Sequence, residues 1–380
     1  MSLSKKIFII SSSLLAAVLL FWGIYILVFQ KKSGQPAIVK DVIAPITQTT
    51  ESKQGSQIEL VTDEAVLAPT LSVDGKSIKY YSKSTGKVYE IDILSDAKKI
   101  ISDTILIGLT NILWSPDTTK VLSEFSTASG YPSFSLYDYS QKKGVTLNNS
   151  ASVVAWQNDN KILYQYSDAK KQTGELDIAD ADGSNWEKIT DLAAKNIRIA
   201  PIPKTGLVSF WNSPDAFVET TLQSIPAFGG ETKILVSGKF GADFLWSPDG
   251  NMLLESNVDT KGGPKLQLGT TNSSGGEYKN LDIPSFISKC AWSIDNKNIY
   301  YALPGSIPDG VVLPNDYNDN KFTTSDTFWK VNIITGEKTR LVALEKITAA
   351  YDATSLFLNS DESFLFFINK IDRKLYKIAL

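Results

Sequence analysis

The sequence contains no histidine and a single cysteine, Cys290. Without an imidazole there is no Ser-His-Asp or Cys-His nucleophile, no histidine-ligated zinc and no imidazole acid–base step. One thiol excludes an intramolecular disulfide, a CxxC redox pair and a cysteine-rich metal site. Cys290, which precedes Ala291-Trp292, reads as a small buried hydrophobe and not as a nucleophile. Basic residues are not in excess. The 38 Lys and Arg against 41 Asp and Glu leave a net charge of -3, which gives no support to a nucleic-acid-binding surface. What is present is a folding composition, 43% hydrophobic and 21% charged over 380 residues, long enough for two or three ordinary domains or one large repeat structure.

One uncharged run stands out. Residues 7–29 are 23 residues without a charge, flanked by Lys5-Lys6 and Lys31-Lys32. As a helix they would reach about 35 Å, enough to cross a hydrocarbon core of about 30 Å with some tilt. Trp22 and Tyr25 lie toward the far end, where amphipathic rings favour the interface. The run is longer than the about 7–15 apolar residues of a signal peptide and no A-x-A-like site follows it, which favours an uncleaved anchor. The flanking lysines nearly balance, so orientation is read from layout: a short tail, residues 1–6, on the cytoplasmic side and the folded part outside, N-in and C-out. Residues 30–54 carry Pro36 and Pro45 without periodicity and read as a flexible linker. Four lysines and no acid occur in the first 32 positions. Removing their charges from the net -3 leaves -7, a mildly acidic body.

A repeat fills the remainder. An apolar strand, a tight polar turn and a second apolar strand recur around Asp74, Asp117, Asp159, Lys204, Asp249, Asp295 and Asp361, in steps of 43, 42, 45, 45, 46 and 66 residues. In Ser247-Pro248-Asp249-Gly250 the proline presets the φ of the second turn position, and glycine takes a place where φ can be positive. Third strands follow, as at Lys265, Phe328 and Lys374, and fourth strands begin at glycine turns such as Gly229 and Gly336. Four short antiparallel strands in about 42–46 residues make one propeller blade. Seven phrases predict a seven-bladed β-propeller over 55–380, all-β, preceded by one transmembrane helix. The last phrase lacks a fourth strand, whereas Gly55-Ser56-Gln57-Ile58-Glu59-Leu60-Val61 resembles one with no blade before it. Gly55 precedes Asp74 by 19 residues, the gap also found from Gly230 to Asp249 and from Gly276 to Asp295. The expectation is that this N-terminal strand closes the last blade.

The W-S-P-D-G phrase with its following strand resembles the WD40-like repeat of TolB-type propellers and of the propeller domains of prolyl-oligopeptidase-type peptidases. The resemblance spans 55–380 and implies the fold. The peptidases carry a separate α/β-hydrolase domain with a G-x-S-x-G elbow. This chain ends with the propeller and has no histidine for a triad, so peptidase activity is not implied.

The long step places an insertion at 303–327, LPGSIPDGVVLPNDYNDNKFTTSDT, on the face that carries the loops between second and third strands and the inter-blade connections. Loops of this length are functional or disordered. A structured lid at one side of the channel mouth, with Val311, Val312, Leu313, Tyr317 and Phe322, is one expectation. Asp316, Asn318 and Asn320 alternate as at the start of a calcium loop. Lys321, however, stands in the place of the loop glycine and no glutamate follows at the twelfth position, so a solvated turn is preferred over a metal site. Asp177, Asp180 and Asp182 before Gly183 likewise read as blade-turn chemistry. Trp114, Trp156, Trp246 and Trp292 share one repeat position and are expected between blades. Trp211, outside that frame and near Phe217, is a candidate exposed aromatic for a ligand or partner.

With no catalytic motif, the sequence favours an extracytoplasmic binding or scaffolding module of the cell envelope over an enzyme. Its partners would be proteins, peptides or glycans met at the insertion-bearing face, with no cofactor. The alternatives are a carboxylate-dependent hydrolase or lyase, and a non-catalytic sensory or assembly subunit.

Overall fold

The computed structural model describes residues 57–128, 130–148, 150–168 and 173–380. The expected tail, membrane segment and linker, 1–54, lie outside the described residues, as do Gly55 and Ser56. Among the described residues no helix is long and apolar enough to cross a membrane.

Nearly all of the regular secondary structure in the described residues is strand. β1 is Ile58–Leu60. Then come β2–β5 (Val66–Leu71, Ser77–Ser82, Val88–Asp92, Lys98–Ser102) and β6–β9 (Leu109–Trp114, Lys120–Phe125, Ser133–Asp138, Lys143–Thr146). They are followed by β10–β13 (Ala151–Trp156, Ile162–Asp168, Thr173–Ala179, Glu187–Leu192). β14–β20 are Ile197–Pro201, Leu207–Asn212, Glu219–Pro226, Lys233–Trp246, Met252–Val258, Leu266–Asn272 and Lys279–Asn280. β21–β24 (Cys290–Trp292, Asn298–Leu303, Thr327–Asn332, Lys338–Arg340) and β25–β27 (Ala353–Leu358, Phe364–Asn369, Leu375–Ala379) complete the series. Each group is an antiparallel meander paired in chain order. Five sheets have four strands, and β14–β20 form one of seven. In the latter, β17 serves twice: its first part pairs with β16 (Gln223↔Ile234) and its second with β18 (Trp246↔Leu253), with Gly238 and Gly241 at positive φ between them.

The turns follow from their residues. In the copy at Asp249, Ser247 Oγ donates to Asp249 Oδ1 at 2.6 Å and accepts the Met252 amide at 3.0 Å, while Asp249 Oδ1 accepts the Asn251 amide at 3.0 Å. Gly250 then takes φ 75°, and Gly75 (69°), Thr118 (50°), Asn160 (63°) and Asn296 (60°) are likewise left-handed at the same place. Glycine and asparagine adopt this region most readily. Around Lys204 the positive φ moves one position earlier, to Lys204 itself at 58°, which is how a proline-led turn adapts when its third residue is not aspartate.

Neither face of such a thin sheet is covered by its own strands, and the cores lie between sheets. Trp156, Ile162 and Tyr164 of β10–β11 pack against Leu122, Phe134 and Leu136 of the preceding sheet. Leu163 and Leu176 pack on Val208 and Phe210 of the following one. The series returns on itself where Phe366, Ile368 and Leu375 meet Val66, Ile78 and Tyr80. The repeated tryptophans sit at these seams as expected. The indole N–H of Trp114 donates to Ala68 O at 2.9 Å, that of Trp156 to Leu113 O at 2.8 Å and that of Trp292 to Leu245 O at 3.1 Å. Trp246 donates to Ser209 Oγ at 2.9 Å. Trp114, Trp156 and Trp292 therefore fix one sheet to the backbone of its predecessor, and Trp246 ties the second part of β17 to β15 within the seven-stranded sheet, each burying a large apolar ring while satisfying its one donor.

The N-terminal strand does close the last sheet. β1 runs antiparallel to β27 with Ile58↔Ile378, Glu59↔Lys377 and Leu60↔Tyr376, and Leu375 N donates to Thr62 Oγ1 at 3.0 Å. Ile58 is buried with Phe367, Tyr351 and Ile378. Deleting residues 57–62 should remove about 1.5–3 kcal/mol of burial from Ile58 alone and lower the melting temperature by several degrees or more. A scanning-calorimetry trace identical to that of the intact chain would refute the closing role of this strand.

Candidate functional site

The insertion between β22 and β23 is ordered by two separate devices. The first is apolar. Leu313 and Tyr317 are buried, and Val311 and Phe322 partly so, against Val258, Leu266, Phe286 and Phe240. The Tyr317 ring stacks on Phe286 with centroids 4.2 Å apart. A short helix, α1 (Asn315–Asn318), begins at Asn315, whose side chain accepts the Ala216 amide at 2.8 Å and donates to Asp215 Oδ1 at 3.2 Å. Pro314 lies against Gly241, where an added Cβ would come within 2.5 Å of its Cδ.

The second device is ionic. Lys289, just before β21, is fully buried, and its ammonium donates to Asp326 Oδ2 (2.6 Å), Asp352 Oδ1 (2.7 Å), Thr324 Oγ1 (3.0 Å) and Ala353 O (3.0 Å). Tyr317 donates its hydroxyl to the same Asp352 oxygen at 2.7 Å, and Lys370 lies 3.6 Å above the Tyr317 ring. Burial raises the pKa of Asp326 against the pull of Lys289. At Asp352 burial also opposes ionisation, but Lys289, Tyr317 and the Thr324 amide together bring its pKa below the ordinary value. Lys289 thus joins residues from the insertion, Thr324 and Asp326, to Asp352 at the entry to the last sheet.

Several expectations change here. Trp211 is not exposed. It is 4% accessible, edge-on to Phe244, because its indole N–H is taken up by Asp243 Oδ1 at 3.1 Å. Tyr317, Val311 and Phe322 face the insertion's own small core and not solvent, since a loop of this length hides its apolar side chains when a neighbouring surface is available. Val312 is half-buried, and its amide donates to Asp316 Oδ2 at 2.7 Å. Phe217, 51% accessible and resting on Gly262, is the exposed aromatic of the expected set. The calcium-like spacing is used otherwise: Asp316 receives Lys321 Nζ at 2.6 Å, and Asn318 belongs to α1. Among the described residues no group of three carboxylates or thiols is placed to hold a metal ion. Cys290 is buried with its thiol toward Phe286 O, and burial raises its pKa.

Near the insertion, a cleft of about 480 Å³ is lined by Val153, Arg198, Asp243, Ser213 and Ser288. Sequence reasoning missed it, although a signal existed: Val153, Arg198, Asp243 and Ser288 are each 45 residues from the next, one repeat step. Val153, Arg198 and Asp243 lie on β10, β14 and β17, and Ser288 lies in the short 3-10 turn that leads into β21. Arg198 is one of three arginines in the chain, half-exposed, with Nε 3.7 Å from Asp243 Oδ1. Burial raises the pKa of Asp243, and Arg198 opposes this.

Asp180 and Asp182 behave as turn residues, Asp182 accepting both the Ser184 amide (3.0 Å) and hydroxyl (2.6 Å). Asp177 does not. It is fully buried, and neither carboxylate oxygen has a hydrogen-bond partner among the described residues. Burial, reinforced by Glu175, pushes its pKa up to about 6 while Lys188 pulls against it.

Two substitutions probe these buried charges. Lys289→Met leaves two buried carboxylates without their cation and should destabilise the fold by about 3–5 kcal/mol in urea denaturation. A loss below about 1 kcal/mol would mean that water replaces the ammonium. For Asp177 the folded pKa lies above the unfolded value of about 3.9, so the folded state holds the proton more tightly, and stability falls as pH rises from about 4 to about 6. Asp177→Asn should therefore stabilise at pH 7.5, by up to about 2–3 kcal/mol, and bring little at pH 3.5. An equal change at both pH values would contradict the burial account.

No family model matches the chain, and no curated protein matches it in sequence. Solved structures do. An oligogalacturonate lyase in complex with manganese superposes with a TM-score of 0.61 at 14% identity, over 85% of this chain and 93% of that one. The oligogalacturonate lyase of Vibrio parahaemolyticus gives 0.61 at 10% identity with the same coverage. The β-propeller domain of the trilobed protease from Pyrococcus furiosus, described as having an open velcro topology, gives 0.53 at 11% identity over 82% and 92%. At these identities the likeness is one of fold: the chain is a β-propeller.

Proposed function

We propose that this seven-bladed propeller is a non-catalytic binding or scaffolding module of the cell envelope, held outside the membrane by residues 7–29 and meeting a protein, peptide or glycan at its insertion-bearing face. The carrying observation is the insertion itself. A loop tied down by a buried lysine, two buried aspartates and its own apolar core, beside an open cleft, is a preorganised surface, and preorganisation lowers the ordering cost of binding. The blade count rests on the seven repeated turns and on β17 doubling as the fourth strand of one blade and the first of the next. The apolar run between lysine pairs supports the anchor, with the propeller on the extracytoplasmic side.

The lyase neighbours raise the alternative of an enzyme acting on acidic glycans. One of them holds manganese. The residues of this chain do not fit such an ion: there is no imidazole, the described carboxylates are not grouped for one, and Asp316, Asp326 and Asp352 are engaged by lysines.

The test uses the full-length protein in native membranes. Cross-linking should capture a specific envelope partner that is lost when residues 304–324 are replaced by a Gly-Ser loop. Protease added outside intact spheroplasts should remove the propeller, and the purified chain should not turn over oligogalacturonate with or without manganese. Identical capture by both forms, protection from the protease, or turnover would each overturn the corresponding part.

A further inference from the structure

The cleft lined by Arg198 and Asp243 carries more than its position. Its floor has one full positive charge, on Arg198, and one internal counter-charge, on Asp243. The two are poorly engaged. The approach is through Nε at 3.7 Å, beyond hydrogen-bond reach, and among the described residues no group accepts a hydrogen bond from the guanidinium. Asp243 cannot readily swing to improve this contact, because Trp211, itself buried, holds the same Oδ1 by its indole N–H at 3.1 Å. A guanidinium whose bidentate edge is unused, beside a wall of Ile197, Ile199, Phe244 and Ile287, matches a carboxylate carried on a short chain between apolar groups.

We propose that this cleft binds an acidic side chain of a partner peptide, with Arg198 as its anchor and Asp243 as the resident counter-ion that the incoming carboxylate displaces. This rests on the reading of the insertion-bearing face as the partner face and names the chemistry recognised there. A peptide fits better than an acidic sugar. A saccharide brings hydroxyls on every side, each needing a partner once desolvated, and beyond the charged pair the cleft offers the side chains of Ser213 and Ser288. The same apolar walls that leave sugar hydroxyls unpaired would receive aliphatic residues on either side of a glutamate. Asp243 then has a defined part. While it faces Arg198 it competes with the ligand, which weakens binding by non-acidic or poorly placed peptides and makes the site selective.

The experiment is fluorescence anisotropy with the full chain in nanodiscs and a labelled acetyl-Ala-Leu-Glu-Leu-Ala amide, compared with the same peptide carrying Gln for Glu. The Glu peptide should bind at least about tenfold more tightly, the scale of one charge-assisted hydrogen-bonded pair. Arg198→Met should lose that difference while the melting temperature stays within a degree or two, since the side chain is half-exposed. Asp243→Asn should do the opposite and tighten the Glu peptide several-fold. Equal binding of the two peptides, an unchanged affinity in Arg198→Met, or a weaker one in Asp243→Asn would overturn the proposal. Binding of oligogalacturonate but not of the peptide would overturn it in favour of a glycan site. Insertion-dependent partner capture without any Glu preference would sink this site and leave the partner face standing.

Discussion

A sheet of four strands, each about six residues long, has two broad faces and no interior, so its apolar side chains find cover only on another sheet. That constraint organises the molecule. The cores are shared by consecutive sheets, and the last sheet shares one with the first. The tryptophans make the sharing directional: an indole on one first strand donates to its predecessor, at Ala68, Leu113 and Leu245. Because each contact presupposes the next, stability belongs to the ring and not to any one sheet, as in other quasi-repetitive folds where neighbour interfaces dominate.

The insertion obeys the opposite logic. It has no sheet to stack on and is fixed by a compact ionic knot over a few aromatic rings. Burying Lys289 with Asp326 and Asp352 is expensive in desolvation, and such groups add little net stability compared with apolar replacements. They impose a single geometry instead, since neither carboxylate tolerates losing its donors. Thr324, Tyr317 and the Ala353 amide complete the coordination of both acids. The outcome is a face whose shape is set before any ligand arrives, with Arg198 and Asp243 next to it.

How much of this was legible in the sequence depends on the period of the signal. The turns were legible because Ser and Asp each have a local reason to be there, and the bond from the Ser hydroxyl to the Asp carboxylate recurs at Asp74, Asp117, Asp249 and Asp295. The closing strand was legible from Gly55 lying the usual distance before Asp74. Trp211 was misread because exposure was inferred from its being out of frame, whereas its partner, Asp243, comes from a strand 32 residues on, and nothing local announces that pairing. Tyr317 failed likewise: its burial depends on Phe286, Lys370 and Asp352, three positions that only the closed ring brings together. The Arg198–Asp243 pair had a readable spacing, but spacing becomes informative only once the repeat is known to place equivalent residues around one axis.

The β1–β27 pairing also has a mechanical side. Three residue pairs, from Ile58↔Ile378 to Leu60↔Tyr376, hold the first described strand in the ring. Tension applied at the N-terminal end of that strand is met by this short ribbon first, and its release would leave the last sheet without its fourth strand. The strand that locks the propeller is thereby also its fuse.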